Sequence, residues 1–161
     1  MIWRDVYIEA DVEAFTLAPA LAGAFGVNET RIGVVAGGGV WPDWVKNCEV
    51  WAGLWPARGE ARLMAMLFVN RDTAEVERLD DRTVAQVLAD ALGCTVFLAD
   101  EADSYSDNYW RLRPGLPAER VALDPDGESE DPPRVTVTGP ATRLMLPQPE
   151  DVSEAAEAGA E

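Results

Sequence analysis

The sequence predicts an α+β fold: a mixed, mainly antiparallel sheet with two helices, in the order βαβββαβββ. Two segments repeat apolar residues at helical spacing, Leu17, Leu21 and Phe25 in one and Val84, Val87, Leu88, Ala91 and Leu92 in the other. Seven others are short, rich in β-branched or aromatic residues and bounded by turn formers, the pattern of strands. Because the helices fall between runs of turn-connected strands, they are expected to pack together on one face of the sheet.

The first strand covers residues 2 to 8, where Ile2, Arg4, Val6 and Ile8 alternate with Trp3, Asp5 and Tyr7. Asp11 then offers an N-cap for the first helix, Pro19 kinks it or marks a second start, and Gly26 closes it. A short strand at 31 to 36 leads into the loop Gly37-Gly38-Gly39-Val40-Trp41-Pro42. Strands at 48 to 55 and 61 to 69 flank Pro56-Ala57-Arg58-Gly59, a hairpin signal. In the second of these, Leu63 to Val69, both side-chain parities are apolar, which predicts cover on both faces. The late strands, the segment Leu144-Met145-Leu146 or a partner subunit are the candidates for the side away from the helices.

The second helix runs from about Asp81 to Leu92, with Asp80 or Asp81 as N-cap, Thr83 and Gln86 as an alternative capping box, and Gly93 just past its end. Three strands follow, at 95 to 99, 109 to 113 and 120 to 123, with a further one at 134 to 138 if the pattern continues. Between them, residues 124 to 133 read as an acidic, proline-bearing loop or linker. From Glu150 onward there is no basic residue. These boundaries give a single domain over 1–146 and a disordered acidic tail over 147–161. No internal repeat is evident.

A chain of 161 residues, 48% hydrophobic and 26% charged, is long enough to bury one core without staples. No window approaches the ~18 apolar residues of a membrane span, and the charged N-terminal stretch does not suit a signal peptide. A cytoplasmic location is therefore expected. Cys48 and Cys94 stand without CxxC spacing or any histidine, so they read as structural thiols and no metal site or cofactor is suggested. The scarcity of lysine, with Lys46 the single one, resembles the coding bias of a GC-rich bacterial genome.

The formal charge is −16, from 29 acidic and 13 basic residues. Residues 1–99 contribute −6, residues 100–123 −2 and residues 124–161 −8. Half of the excess thus lies in the late loop and tail, where solubility explains it. The balance argues against nucleic acid and against anionic membranes as partners. It favours a basic protein.

The glycine run at 37–39 follows a strand, as a phosphate loop does, but matches neither GxGxxG nor GxxxxGK[ST] and reads as a flexible turn. The acidic loop that begins at Asp100 has neither EF-hand spacing nor its glycine, yet it sets carboxylates beside aromatic residues. That mixture suits a surface on which aromatics anchor a basic partner and charge steers it, and it also fits a solvated hairpin loop. The candidate contact residues are Asp100, Glu101, Asp103, Tyr105, Asp107, Tyr109 and Trp110. Trp51 and Trp55 share one face of their strand and fit ordinary core packing, whereas Trp41 and Trp44 are candidates for exposure.

Without histidine, Ser-His-Asp and Cys-His catalysis are impossible within the chain. The leading expectation is therefore a non-enzymatic protein-binding domain, an acidic immunity-type antagonist of a basic bacterial toxin or nuclease. Two alternatives remain: a small carboxylate- or metal-dependent hydrolase built on the acidic loop, and a structural or assembly subunit forming a homo-oligomer.

Overall fold

The computed structural model describes residues 2–36, 42–70, 80–100 and 107–141. Their architecture is an eight-stranded, mainly antiparallel sheet carrying two helices on one face. In chain order the elements are β1 (Ile2–Ile8), α1 (Ala14–Phe25), β2 (Ile32–Ala36), β3 (Val50–Pro56), β4 (Arg58–Gly59), β5 (Leu63–Val69), α2 (Asp81–Leu92), β6 (Val96–Ala99), β7 (Asn108–Leu112), β8 (Glu119–Leu123), the short α3 (Pro125–Glu128), β9 (Arg134–Val135) and β10 (Val137–Pro140). The sheet order is β10-β8-β7-β6-β1-β5-β3-β2, so β1 lies inside it between β6 and β5. β2 is parallel to β3, and its connection of about a dozen residues matches what a parallel crossover requires.

The helices form where the spacing placed them, but their details differ. α1 starts at Ala14 with Glu13 as N-cap and no side-chain capping bond, so Asp11 lies too far upstream to cap it. Pro19 neither breaks nor restarts the helix. The bond it cannot donate leaves the carbonyl of Phe15 without a helical partner, and Phe15 lies on the solvent side, where water can serve that group. α2 has the expected cap: the Asp80 carboxylate accepts from the Thr83 amide at 3.1 Å and from its hydroxyl at 2.9 Å. Gly26 and Gly93, both left-handed, close the two helices.

The buried stripe of α2 is Val84, Ala85, Leu88 and Ala89, rotated from the expected one, and Val87 and Ala91 face solvent. The reason is the second neighbour: α2 packs against α1 as well as the sheet, and Ala85 and Ala89 are small enough for close approach. Beneath the helices, Val6 and Ile8 of β1, Leu63, Ala65, Leu67 and Val69 of β5, and Val96 and Leu98 of β6 complete the core.

Among the described residues the opposite face is covered only in part. Tyr7, Phe97, Val121 and Leu123 form a second cluster with Ala57, Ala61 and Val135. The segment 124–133, expected as an acidic loop or linker, is an ordered turn: Asp124 caps α3, and Arg134 pairs with both Asp124 and Glu130. The strand expected at 134–138 is split, β9 joining β4 in a small parallel pair and β10 joining β8 at the sheet edge. On β5, Met64, Met66 and Phe68 are half-buried, so the predicted double cover is incomplete among the described residues. The Leu144-Met145-Leu146 segment and the acidic tail lie outside those residues.

Candidate functional site

Strand alternation divides the predicted contact residues between two faces. On β7, Tyr109 pairs with Ala99 of β6, and Trp110 pairs with Leu98, a residue of the helix-covered core. Trp110 lies between two guanidinium groups, with that of Arg82 4.3 Å and that of Arg120 5.8 Å from its ring centre. Asp100 is buried, and its carboxylate accepts from Arg120 at 2.9 Å. Asp100 and Trp110 are thus tied into internal cation contacts. Trp44 is exposed, as expected, while Glu101, Asp103, Tyr105 and Trp41 lie outside the described residues.

The other face holds Tyr109 in a cleft of about 430 Å³, and the charge of Asp107, just before β7, acts on Glu128 in its lining. The cleft arises from register: Ala99, with its short side chain, lies in the sheet next to Asp5 on one side and Tyr109 on the other, and leaves a depression. Tyr7 and Met64, paired across β1 and β5, extend the floor, and Glu128 of α3 forms a wall. The Tyr7 and Tyr109 rings lie 6.1 Å apart at 46°.

Three acidic groups at this cleft are harder to ionise than usual. Burial pushes the Asp5 carboxyl up, opposed by the neighbouring Arg4 charge. Glu128 is raised by burial and then by the charge of Asp107. Tyr7, buried and facing the charges of Glu128 and Asp5, is pushed up to about 12. Arg4 is the nearby cation, and its guanidinium is committed to the Asp81 carboxylate and the Ala99 carbonyl. With Arg4 lining the cleft but engaged in this way, a further cation placed among Asp5, Tyr7 and Glu128 would favour ionisation of each of them.

In comparisons with known proteins, the chain matches no protein family, no curated protein and no solved structure. The site therefore has to be read from its chemistry. Carboxylates and tyrosine rings gathered in one cleft are groups whose chemistry complements a guanidinium or ammonium cation. Among the described residues no cluster of three metal-ligating side chains occurs, and no helix is long and apolar enough to cross a membrane. Burial raises the thiols of Cys48 and Cys94, so neither is activated as a nucleophile.

Sequence reasoning reached Tyr109 and Asp107 but missed Asp5, Tyr7 and Glu128. The alternation of β1 placed Asp5 and Tyr7 on a common face. Nothing in the sequence gave the pairing that brings that face to Glu128.

Proposed function

We propose that this domain is a protein-binding module whose Asp5, Tyr7, Tyr109 and Glu128 cleft receives an arginine or lysine side chain of a basic partner. The observation that carries this reading is the gathering of Asp5, Tyr7 and Glu128, each made harder to ionise chiefly by burial, around a pocket large enough for such a side chain. A desolvated cation in contact with a tyrosine ring gains from both the carboxylates and the ring face. The acidic surplus of the whole chain adds long-range steering. Within this class, an immunity-type antagonist of a basic bacterial toxin or nuclease, acting in the cytoplasm, suits the size and charge best.

The test has two stages. Arginine amide titrated into isotope-labelled protein should shift the backbone resonances of Asp5, Tyr109 and Glu128 saturably, and Glu128→Gln should weaken the effect. Binding to the basic protein encoded beside this chain should then fall about tenfold or more in Asp5→Asn/Glu128→Gln, a loss of about 1.4 kcal/mol. Undiminished binding by that double variant refutes the cleft as the contact.

A second reading, a homo-oligomeric assembly subunit, draws on the half-buried Trp51 and Phe68 rings, which stack 5.4 Å apart on the face away from the helices. Light scattering that gives a strict monomer at high concentration eliminates it.

A further inference from the structure

Beyond Tyr7 the same sheet face carries a second cleft, of about 490 Å³, lined by three arginines and two glutamates. It lies where four neighbouring strands end together. Ile8 pairs with Leu63 and with Val96, and Val96 with Leu112, so the next residues outward, Arg62, Glu9, Thr95 and Arg113, form one row across β5, β1, β6 and β7. Arg111 lies two rows inward, on the same face, opposite Phe97. Three of the 13 basic side chains in a chain with 29 acids thus meet at one cleft.

Their partners do not match them. Arg111 and Arg113 share a single carboxylate, that of Glu119, with Arg113 at 2.9 Å. The Nε–H groups of Arg111 and Arg113 are closed off from solvent and meet no acceptor among the described residues. Arg62 forms no ion pair and no side-chain hydrogen bond among them either. Glu60, across the cleft, is occupied in accepting the Val137 amide, and the Glu9 carboxylate reaches the Thr95 amide at 3.5 Å. Charged donors in folded proteins find acceptors, and with Glu119 shared between Arg111 and Arg113, the outer N–H groups of these two and of Arg62 are placed to meet a ligand that supplies oxygens.

We propose that this cleft binds an oxyanion, specifically the phosphate group of a small phosphorylated compound. Guanidinium forks match phosphate oxygens in geometry, and three of them exceed what one carboxylate can engage. The volume leaves room for a small organic body beside the phosphate, with the Glu9 carboxylate in the lining to accept from its hydroxyl or amino groups. The site is separate from the Asp5 and Glu128 cleft and does not depend on a protein partner.

Inorganic phosphate, glycerol phosphate and, as a neutral control, glycerol can be titrated into the labelled full chain at constant ionic strength while the arginine Nε–H resonances are followed. Saturable shifts of the Arg111 and Arg113 signals with both phosphates, and none with glycerol, are expected. Arg62→Gln, at an exposed position, should weaken binding about tenfold, and Arg113→Gln at least as much, with the circular dichroism of both unchanged. Glu128→Gln should bind phosphate as the parent does, which separates this proposal from the docking reading. The proposal is overturned if about 10 mM phosphate leaves those signals unmoved, if chloride moves them equally, or if Arg62→Gln/Arg113→Gln binds as tightly as the parent.

Discussion

The buried guanidinium of Arg4 on β1 is bound to the carboxylate of Asp81 in the first turn of α2, tying the sheet to the start of a helix. The same group also donates to the Ala99 carbonyl at the end of β6. Removing Asp81 leaves a buried charge short of its counter-ion. Asp81→Ala should therefore cost about 3 kcal/mol, the low end of the range for buried pairs because Asp81 is about a third exposed. Arg4→Met, which removes the charge with the donor, should cost less. Urea unfolding of both variants checks the order, and a milder Asp81→Ala contradicts it.

The raised carboxyls make stability fall with pH. Asp5 and Glu128 hold protons more tightly in the folded chain than their ordinary values of 3.8 and 4.5 allow. From those values up to the raised folded ones, the native state binds more protons than the unfolded state. Their contribution to stability therefore declines as pH rises through that window and stays unfavourable above it. Asp5→Asn and Glu128→Gln should each raise the melting temperature near neutral pH and leave it unchanged near about pH 3, where the carboxyl is protonated in both states. Melting curves across this range decide, and a lower melting temperature at neutral pH in both variants goes against the assignment.

Tyr7 gives a separate signature at high pH. Its ordinary value of 10.0 is pushed up to about 12, so between these limits unfolding releases a proton and stability is lost as pH rises. The chain has three tyrosines. Their phenolate absorbance should show one late step, absent in Tyr7→Phe and shifted to ordinary pH in denaturant.

Two left-handed glycines separate backbone strain from collision. At Gly26, φ is +69° and a Cβ meets nothing within 4 Å. At Gly59, φ is +80° and a Cβ stands 2.2 Å from the Val135 carbonyl oxygen. Gly26→Ala should cost about 1 kcal/mol. Gly59→Ala should cost clearly more and displace β9 from β4, seen as lost hydrogen-exchange protection at Glu60, whose amide bonds to Val135. Equal costs for the two variants contradict this account.

Local chemistry made most of the elements legible. Asp80 and Gly93 mark the ends of α2, while the uniformly apolar Leu63 to Val69 gave the strand but not its alternating burial. What stayed hidden depends on distant partners. The buried stripe of α2 rotates because α1 lies beside it, a fact that the spacing of Val84 and Leu88 does not contain. The two clefts are less legible still. Asp5 and Glu128 are 123 positions apart, and Arg62 and Arg113 are 51 apart. Each pair meets only through the placement of β1 between β5 and β6. The acidic loop was conspicuous because its charges are adjacent in sequence, whereas charges gathered by register leave no such trace.

That placement of β1 also sets a timetable for synthesis. Val6 pairs with Leu98, 92 residues later, and Asp5 with Met66, 61 residues later. At 5–20 residues per second, a ribosome takes on the order of 5–20 s to deliver the second neighbour of β1 after the strand itself has emerged. For that interval the nascent chain carries an unpaired edge rich in Val, Tyr and Ile, an invitation to other chains and to chaperones. Refolding of the finished chain avoids the wait but still has to close those long loops before the sheet is rewarded, so it should be slow for a domain of this size.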